Sequence, residues 1–411
     1  MEMIGIASIL SRGDSSPPSL APLYNSAREA RYNISKALHA NSPTLTIGRP
    51  FANICSLPIN LTAPPCRSST TPAAVFDPYV YLADRGVMAS VMVVAAVLWL
   101  CAAGEVQAQA QLQVGFYAQS CPQAEVIVRD EVGRAVSANV GLAAGLVRLH
   151  FHDCFVQGCD ASVLLDSTAN STAEKDAGPN KSLRGFEVID AAKERLESAC
   201  AATVSCADIL AFAARDSVVL TGGSPYAVPA GRRDGNVSAA SDAQANLPPP
   251  TADVAQLTQA FANKGLSQED MVTLSGAHTI GLTHCSSFSA RLQGYNASTG
   301  TGQDPAMDAA TASRLAKQCA PGSADAAVPM DAGSPDAFDT GYFHALLANQ
   351  GVLASDQTLT SDNATAALVA QNAYNTYLFV TRFGDAMVKM GGIQVLTGAD
   401  GQIRTDCRVV N

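Results

Sequence analysis

The chain has 411 residues, 47% apolar and 15% charged, enough apolar material for a sizeable core and unlike the composition of a disordered or fibrous protein. Its formal net charge is −10, which argues against a nucleic-acid partner. The acidity is unevenly spread: residues 1–110 carry 7 basic and 6 acidic groups, whereas residues 111–411 carry 19 and 30.

Residues 1–87 are rich in Ser, Pro, Ala and Thr and show no strong apolar period, so they read as a disordered or targeting-like leader. The next stretch, 88–104, is MASVMVVAAVLWLCAAG. It is short for a membrane span and suits the apolar core of a signal peptide. Ala108-Gln-Ala110 fits the small-x-small cleavage rule, so cleavage is expected before Gln111. A secretory signal belongs at an N-terminus, so the expectation is that Met88 is the natural start and 1–87 a spurious extension. A single-span anchor is the alternative, weakened by the lack of a basic stop-transfer cluster after the run.

From 111 onward the pattern is helical. Glu125 to Asn139 and Leu142 to Cys154 read as two helices separated near Gly141. Phe186 to Ala199 is amphipathic, and Ala207 to Leu220 runs to Gly222-Gly223. Thr251 is the expected cap of a helix carrying Val254, Leu257 and Phe261, closed by Gly265. Ser267-Gln-Glu-Asp is a capping-box-like start to a further helix that stops near Gly276. No long strand alternation and no internal repeat is visible, so two subdomains within one fold are expected. Eight cysteines fall in this region, an even set that suggests a disulfide framework and an oxidising compartment. Spacing alone leaves all 105 pairings of eight cysteines open.

The densest chemistry lies in RLHFHDCFVQGCDAS, residues 148–162. Arg148 and His152 are four apart and share a helix face, which sets a fixed cation beside a titratable imidazole. Such a pair suits acid–base work on a small polar molecule. Phe151 can wall off water. A surface helix with a chance Arg/His pair is the bland alternative for those two residues alone.

That string, together with Phe116-Tyr-x3-Cys121-Pro, Arg184-Gly-Phe186, Val204-Ser-Cys206-Ala-Asp208-Ile, Gly231-Arg-Arg-Asp234 and Leu274-Ser-Gly-Ala-His278-Thr-Ile-Gly281, resembles the plant secretory haem peroxidases (class III) over nearly all of 111–411. The resemblance implies an all-α haem peroxidase fold, two mostly helical subdomains with one haem b between them. It implies that hydrogen peroxide is reduced and small phenolic donors are oxidised in one-electron steps. Expected roles are in lignin, suberin or cell-wall metabolism and in the response to oxidative stress. His278 would be the axial ligand of the haem iron, with Asp356 accepting its other N–H. On the opposite face His152 would be the proton acceptor and Arg148 the transition-state stabiliser. Asn180 would accept a hydrogen bond from His152, and Pro248 would lend its carbonyl to aromatic substrates. Asp208 and Arg232 would form a buried ion pair.

Two calcium sites are also implied. One would use Asp153, Asp160 and Ser162 with the carbonyls of Val156 and Gly158, linked to His152 through Glu174. The other would use Thr279, Asp331, Ser334 and Asp339 with the carbonyl of Ala337. The implied disulfides are Cys121–Cys200, Cys154–Cys159, Cys206–Cys407 and Cys285–Cys319.

Tyr226 stands where the family usually has Trp, and the lone Trp99 lies in the expected signal. His150, His284 and His344 read as structural or surface residues. Asn170, Asn236, Asn296 and Asn363 lie in glycosylation sequons. Asn180 lies in another and is expected to stay unmodified. The whole reads as a secreted, monomeric glycoprotein of the cell wall or apoplast, free of membrane after signal cleavage. Two competing readings are a zinc hydrolase built on His150, His152 and the nearby cysteines, and a wall glycoprotein that kept the fold and lost catalysis.

Overall fold

A computed structural model describes residues 111–295, 302–320 and 325–411. The leader at 1–87, the signal and cleavage site at 88–110 and the Asn296 sequon lie outside the described residues.

Thirteen helices are named here among the described residues: α1 (Ala124–Ala138), α2 (Gly141–Val156), α3 (Phe186–Ala199), α4 (Cys206–Leu220), α5 (Ala240–Asn246), α6 (Val254–Ala262), α7 (Gln268–Ser275), α8 (Ser289–Leu292), α9 (Ala309–Gln318), α10 (Gly341–Leu347), α11 (Ala354–Gln357), α12 (Asn363–Tyr374) and α13 (Thr376–Met390). Helix α4 is apolar nearly all round and therefore buried, packed chiefly between α2 and α1. Ser205 caps it by accepting from the Asp208 N–H. Helices α7, α12 and α13 pack together further along the chain.

The cap expected at Thr251 belongs instead to Asp253. Its carboxylate accepts from the Gln256 N–H at 2.8 Å while the Gln256 side chain accepts from the Asp253 N–H at 2.9 Å. Asp two positions nearer the helix outcompetes Thr because it completes this reciprocal box. The helix itself ends at Ala262, before Gly265. Ser267 caps α7 in a second such box with Asp270.

Two short antiparallel ribbons complete the fold: β1 (Gln113–Val114) with β2 (Pro229–Ala230), and β3 (Leu282–His284) with β4 (Ala327–Pro329). The second positions ligands. Leu282 pairs with Pro329, so the chain just before β3 and just after β4 must meet, which brings Thr279 to Asp331. Cys285–Cys319 fastens the region beyond its far end, where Phe288, Met307, Leu315 and Val328 form a second, smaller core cluster.

The other disulfides join Cys121 to Cys200, Cys154 to Cys159 and Cys206 to Cys407, the pairing that the family resemblance implies. Deep in the main core, Asp208 accepts from Tyr117 Oη at 2.7 Å, the Gly231 N–H at 2.7 Å and Arg232 Nη1 at 2.8 Å. Arg232 also donates to the carbonyls of Gly391 and Pro229. This knot ties the N-terminal segment, α4, β2 and the end of α13. Removing one charge strands the other in the interior, so Arg232→Met is expected to lower unfolding free energy by about 3–5 kcal/mol. Urea denaturation of wild type and variant measures the difference, and a change below about 1 kcal/mol would show the pair to be dispensable.

Candidate active site

Helix α2 supplies the first half of the site. Arg148 and His152 lie one turn apart on it, and Arg148 Nε donates to His152 Nε2 at 3.1 Å. The opposite nitrogen, His152 Nδ1, lies 2.7 Å from Asn180 Oδ1. Asn180 Nδ2 donates to the Glu174 carbonyl at 2.8 Å, which fixes the amide with its oxygen toward the ring. The proton therefore sits on Nδ1, and the Nε2 lone pair is the acceptor that meets Arg148 Nε. Burial holds the His152 pKa down to about 3, with Arg148's charge acting in the same direction and the Asn180 bond opposing both.

Arg148 has two more anchors: Nη1 donates to Ser182 Oγ at 3.0 Å and Nη2 to the Pro179 carbonyl at 2.9 Å. The short turn through Gly178–Asn180 thus holds both members of the pair. Neither Ser182 nor Pro179 is singled out by its residue type or spacing. Phe151 stands beside His152, its ring 4.2 Å from Phe155, and Phe261 of α6 packs against both. Pro248 is half-buried in the loop after α5, a helix that packs against α2 and the Asn180 turn. No hydrogen bond among the described residues joins it to His152.

The second half stands on the 3₁₀ turn Gly276–Thr279 that follows α7. Gly276 is needed there, because a Cβ would lie 2.6 Å from Phe379 and 2.7 Å from Phe343. His278 Nδ1 donates to Asp356 Oδ1 at 2.8 Å, and 42% of the His278 side chain is accessible. Burial pulls the His278 pKa down, but the Asp356 charge and hydrogen bond outweigh it and raise it above its ordinary value. Arg148 opposes the rise, so the charge on α2 is felt at this imidazole. With Nδ1 committed, Nε2 is the one ring nitrogen left to bind a metal, which fits an axial ligand of haem iron. Sequence reasoning missed Tyr342. Its hydroxyl donates at 3.0 Å to the same Asp356 oxygen that His278 uses.

Beside His152 the residues fit a hard cation. Asp153 Oδ1, Ser162 Oγ and both Glu174 carboxylate oxygens are buried with no hydrogen-bond partner. Burial pushes the Asp153 and Asp160 carboxyls up and Glu174 to about 8. Such a knot of acids needs a positive charge beyond Arg404, which donates to the Ala161 carbonyl behind it. Gly158 has φ +104°, and its Cβ would strike the Gln394 carbonyl. Glu174 reaches His152 through its backbone carbonyl, by way of Asn180, while its carboxyl joins the acids.

On the other half, Thr279 Oγ1 lies 3.1 Å from Asp339 Oδ1, 3.4 Å from the Ala337 carbonyl and 3.5 Å from Asp331 Oδ2. Ser334 Oγ is 3.3 Å from Asp331 Oδ2. These oxygens also suit a hard cation. A glycine abuts each cluster: a Cβ on Gly235 or Gly341 would lie 2.1 Å from a carboxylate oxygen of Asp160 or Asp331, respectively.

A zinc centre does not fit. His150, Asp153 and Cys154 come together, but the Cys154 sulfur is spent in its disulfide and His152 Nδ1 on Asn180.

The peroxidase family model matches residues 128–375. The chain is 59% identical to Peroxidase 5 of Vitis vinifera over 309 residues, 74% of this chain and 93% of that one. It is 49% identical to Peroxidase 3 of Arabidopsis thaliana over 306 residues (74% and 93%). It is 48% identical to Peroxidase 1 of Oryza sativa subsp. japonica over 328 residues (79% and 100%).

The acid cluster yields a pH test. A carboxyl whose folded pKa is raised to about 8 favours folding below its unfolded value, and that contribution is lost as pH rises through 8. Without a divalent cation, stability is therefore expected to fall between pH 6.5 and 8 by about 1 kcal/mol per unit. Calcium should remove the slope. Urea melts with EGTA and with calcium measure this, and identical curves would overturn the site.

Proposed function

The chain belongs to the peroxidase family and is a class III plant peroxidase, and on that premise we propose that its residues divide the reaction between the two faces of one haem. The observation that carries this reading is the pair of imidazoles with both Nδ1 atoms committed, His152 to an amide and His278 to a carboxylate.

Bound haem supplies the iron that binds peroxide and stores the oxidising equivalents. His278 would hold the iron through Nε2, and Asp356, which accepts the Nδ1 proton, would make that nitrogen more electron-donating. With peroxide bound, His152 Nε2 would accept a proton from one peroxide oxygen and hand it to the other, which would then leave as water. Arg148 stabilises the negative charge that develops as the O–O bond breaks. Asn180 keeps the ring proton on Nδ1 so that Nε2 is the accepting nitrogen, and Phe151 excludes water from the proton's path. Donors then return two electrons one at a time, with small phenols held near the Pro248 carbonyl.

One calcium would be held by Asp153, Val156, Gly158, Asp160 and Ser162, and another by Thr279, Asp331, Ser334, Ala337 and Asp339. Each set includes the direct sequence neighbour of a site histidine, so the two ions brace the two halves of the site. The enzyme works as a secreted monomer in the apoplast or cell wall, on phenolic donors of lignin, suberin or wall metabolism and in oxidative stress. Among the described residues no helix is long and apolar enough to cross a membrane.

The deciding experiment is the visible spectrum of the purified protein before and after one equivalent of hydrogen peroxide. A Soret band that shifts and then returns on adding a phenol is the expected result; a protein that takes up no haem in the presence of calcium overturns the reading. His152→Leu should keep the Soret band yet slow the reaction with peroxide by about 10²–10⁴-fold. In wild type that rate should stay flat from neutral pH to about 4 and fall as His152 is protonated near its pKa of about 3. A fall centred near 6.5 would show that Nε2 is not kept neutral by its surroundings.

A further inference from the structure

Tyr374 and Tyr377 are the two most exposed large hydrophobic residues described, at 77% and 80%. They flank the corner between α12 and α13. From Asn363 to Val380 the chain carries no charged side chain, so these rings sit in an uncharged stretch. Aromatic rings left so open are costly to solvate, and the reaction assigned above does not use them.

Tyr374 also touches the helix that carries Tyr342. Its ring meets that of His344 edge to face at 5.3 Å. His344 lies on α10, two residues after Tyr342. Tyr342 donates to the Asp356 oxygen that accepts from His278, and the Tyr342 and His278 rings lie 6.0 Å apart. One seven-residue helix thus connects the expected axial ligand to an open phenol through hydrogen bonds, ring contact and covalent backbone.

We infer that Tyr374 is a second oxidation site, at which phenolic polymers too large to approach the haem edge give up electrons. This rests on the peroxidase reading, which supplies the oxidant. In the inward step one electron leaves Tyr374 along the α10 route to the peroxide-oxidised haem. The phenolic proton passes to the surrounding water, leaving a tyrosyl radical. A phenol of the polymer then gives that radical one electron and one proton, restoring Tyr374 and leaving a phenoxyl radical on the polymer. Two such cycles consume the two oxidising equivalents of one peroxide. A neutral aromatic polymer fits this corner, where Arg382, which donates to Gln371, is paired with Glu269, and where Tyr374 and Tyr377 offer ring faces for stacking.

The test uses the holoenzyme with Tyr374→Phe, Tyr377→Phe and His344→Leu, two donors and one trap. Guaiacol reports on the haem edge, and a size-fractionated synthetic polymer of coniferyl alcohol reports on the surface. A nitroso spin trap added with peroxide alone marks the radical, which peptide mass spectrometry then locates. Expected are an adduct on Tyr374 and a loss of about tenfold or more in kcat/KM for the polymer in Tyr374→Phe and His344→Leu, with guaiacol unchanged. Unchanged polymer oxidation in Tyr374→Phe, or an adduct confined to Tyr377, overturns the proposal. Unaltered enzyme that fails to oxidise guaiacol overturns the peroxidase reading, and the proposal with it.

Discussion

The side-chain amide of Asn180 is the constraint on which the distal half of the site depends. It is held at both ends: its nitrogen donates to the Glu174 carbonyl and its oxygen faces His152 Nδ1. A free amide can turn over, and a turned amide would present N–H to the ring and push the proton to Nε2. Anchoring the nitrogen forbids that. The same turn gives Arg148 its Pro179 and Ser182 acceptors, so one short segment sets both the tautomer of the base and the aim of the cation. Glu174 also contributes its carboxyl to the neighbouring acid cluster, so the amide's anchor and the cation site share a residue.

The interior of this half is electrostatically expensive. Asp153, Asp160 and Glu174 are brought together under nearly complete burial, and Arg404 is a cation felt by Asp153 and Asp160. Ordinary folding would neutralise such acids by protonation, and the raised pKa values describe that tendency. A hard dication offers the other solution, with unpartnered oxygens already turned inward. Gly235 and Gly341 then make sense as a matched pair. Each leaves the room a carboxylate needs, and any larger residue would displace an oxygen from its cluster.

Much of this was legible in the sequence, and the parts that were not share a reason. Helices α1 to α4 follow from apolar period and breakers, within a residue or two at each end. The Arg148/His152 face follows from four-residue spacing, and the Ser267 cap from its own box. Thr251 misled because Thr and Asp are both good caps; choosing between them requires knowing where Gln256 turns back. The β3–β4 ribbon is too short to show alternation. Tyr342, Ser182 and Pro179 act through a hydroxyl or carbonyl whose partner is distant in sequence or carries no mark of its own. Their roles exist only once α10 and the Asn180 turn have docked. The cysteine pairing, too, came from family resemblance, because spacing alone was silent.

The two histidines show how little chemistry lies in the residue and how much in its partner. Both donate from Nδ1, which under the proposed mechanism leaves each Nε2 for the reaction. Opposite His152 stands a neutral amide, which offers little to a positive charge; burial and Arg148 therefore dominate, and the ring stays neutral, as the proposed proton acceptor must. Opposite His278, a more open ring, stands a buried carboxylate, whose charge and hydrogen bond outweigh the desolvation and raise the ring's pKa. An acceptor of protons must not be protonated beforehand, and a donor of electron density must be supported from behind. Exchanging Asn180 and Asp356 between the two rings would reverse both conditions. It would give a base already charged beside Arg148 and a ligand too poor to favour oxidised iron. Tyr342 then falls into place as the limit on that support, since its hydroxyl takes part of the charge Asp356 would otherwise lend to the ring.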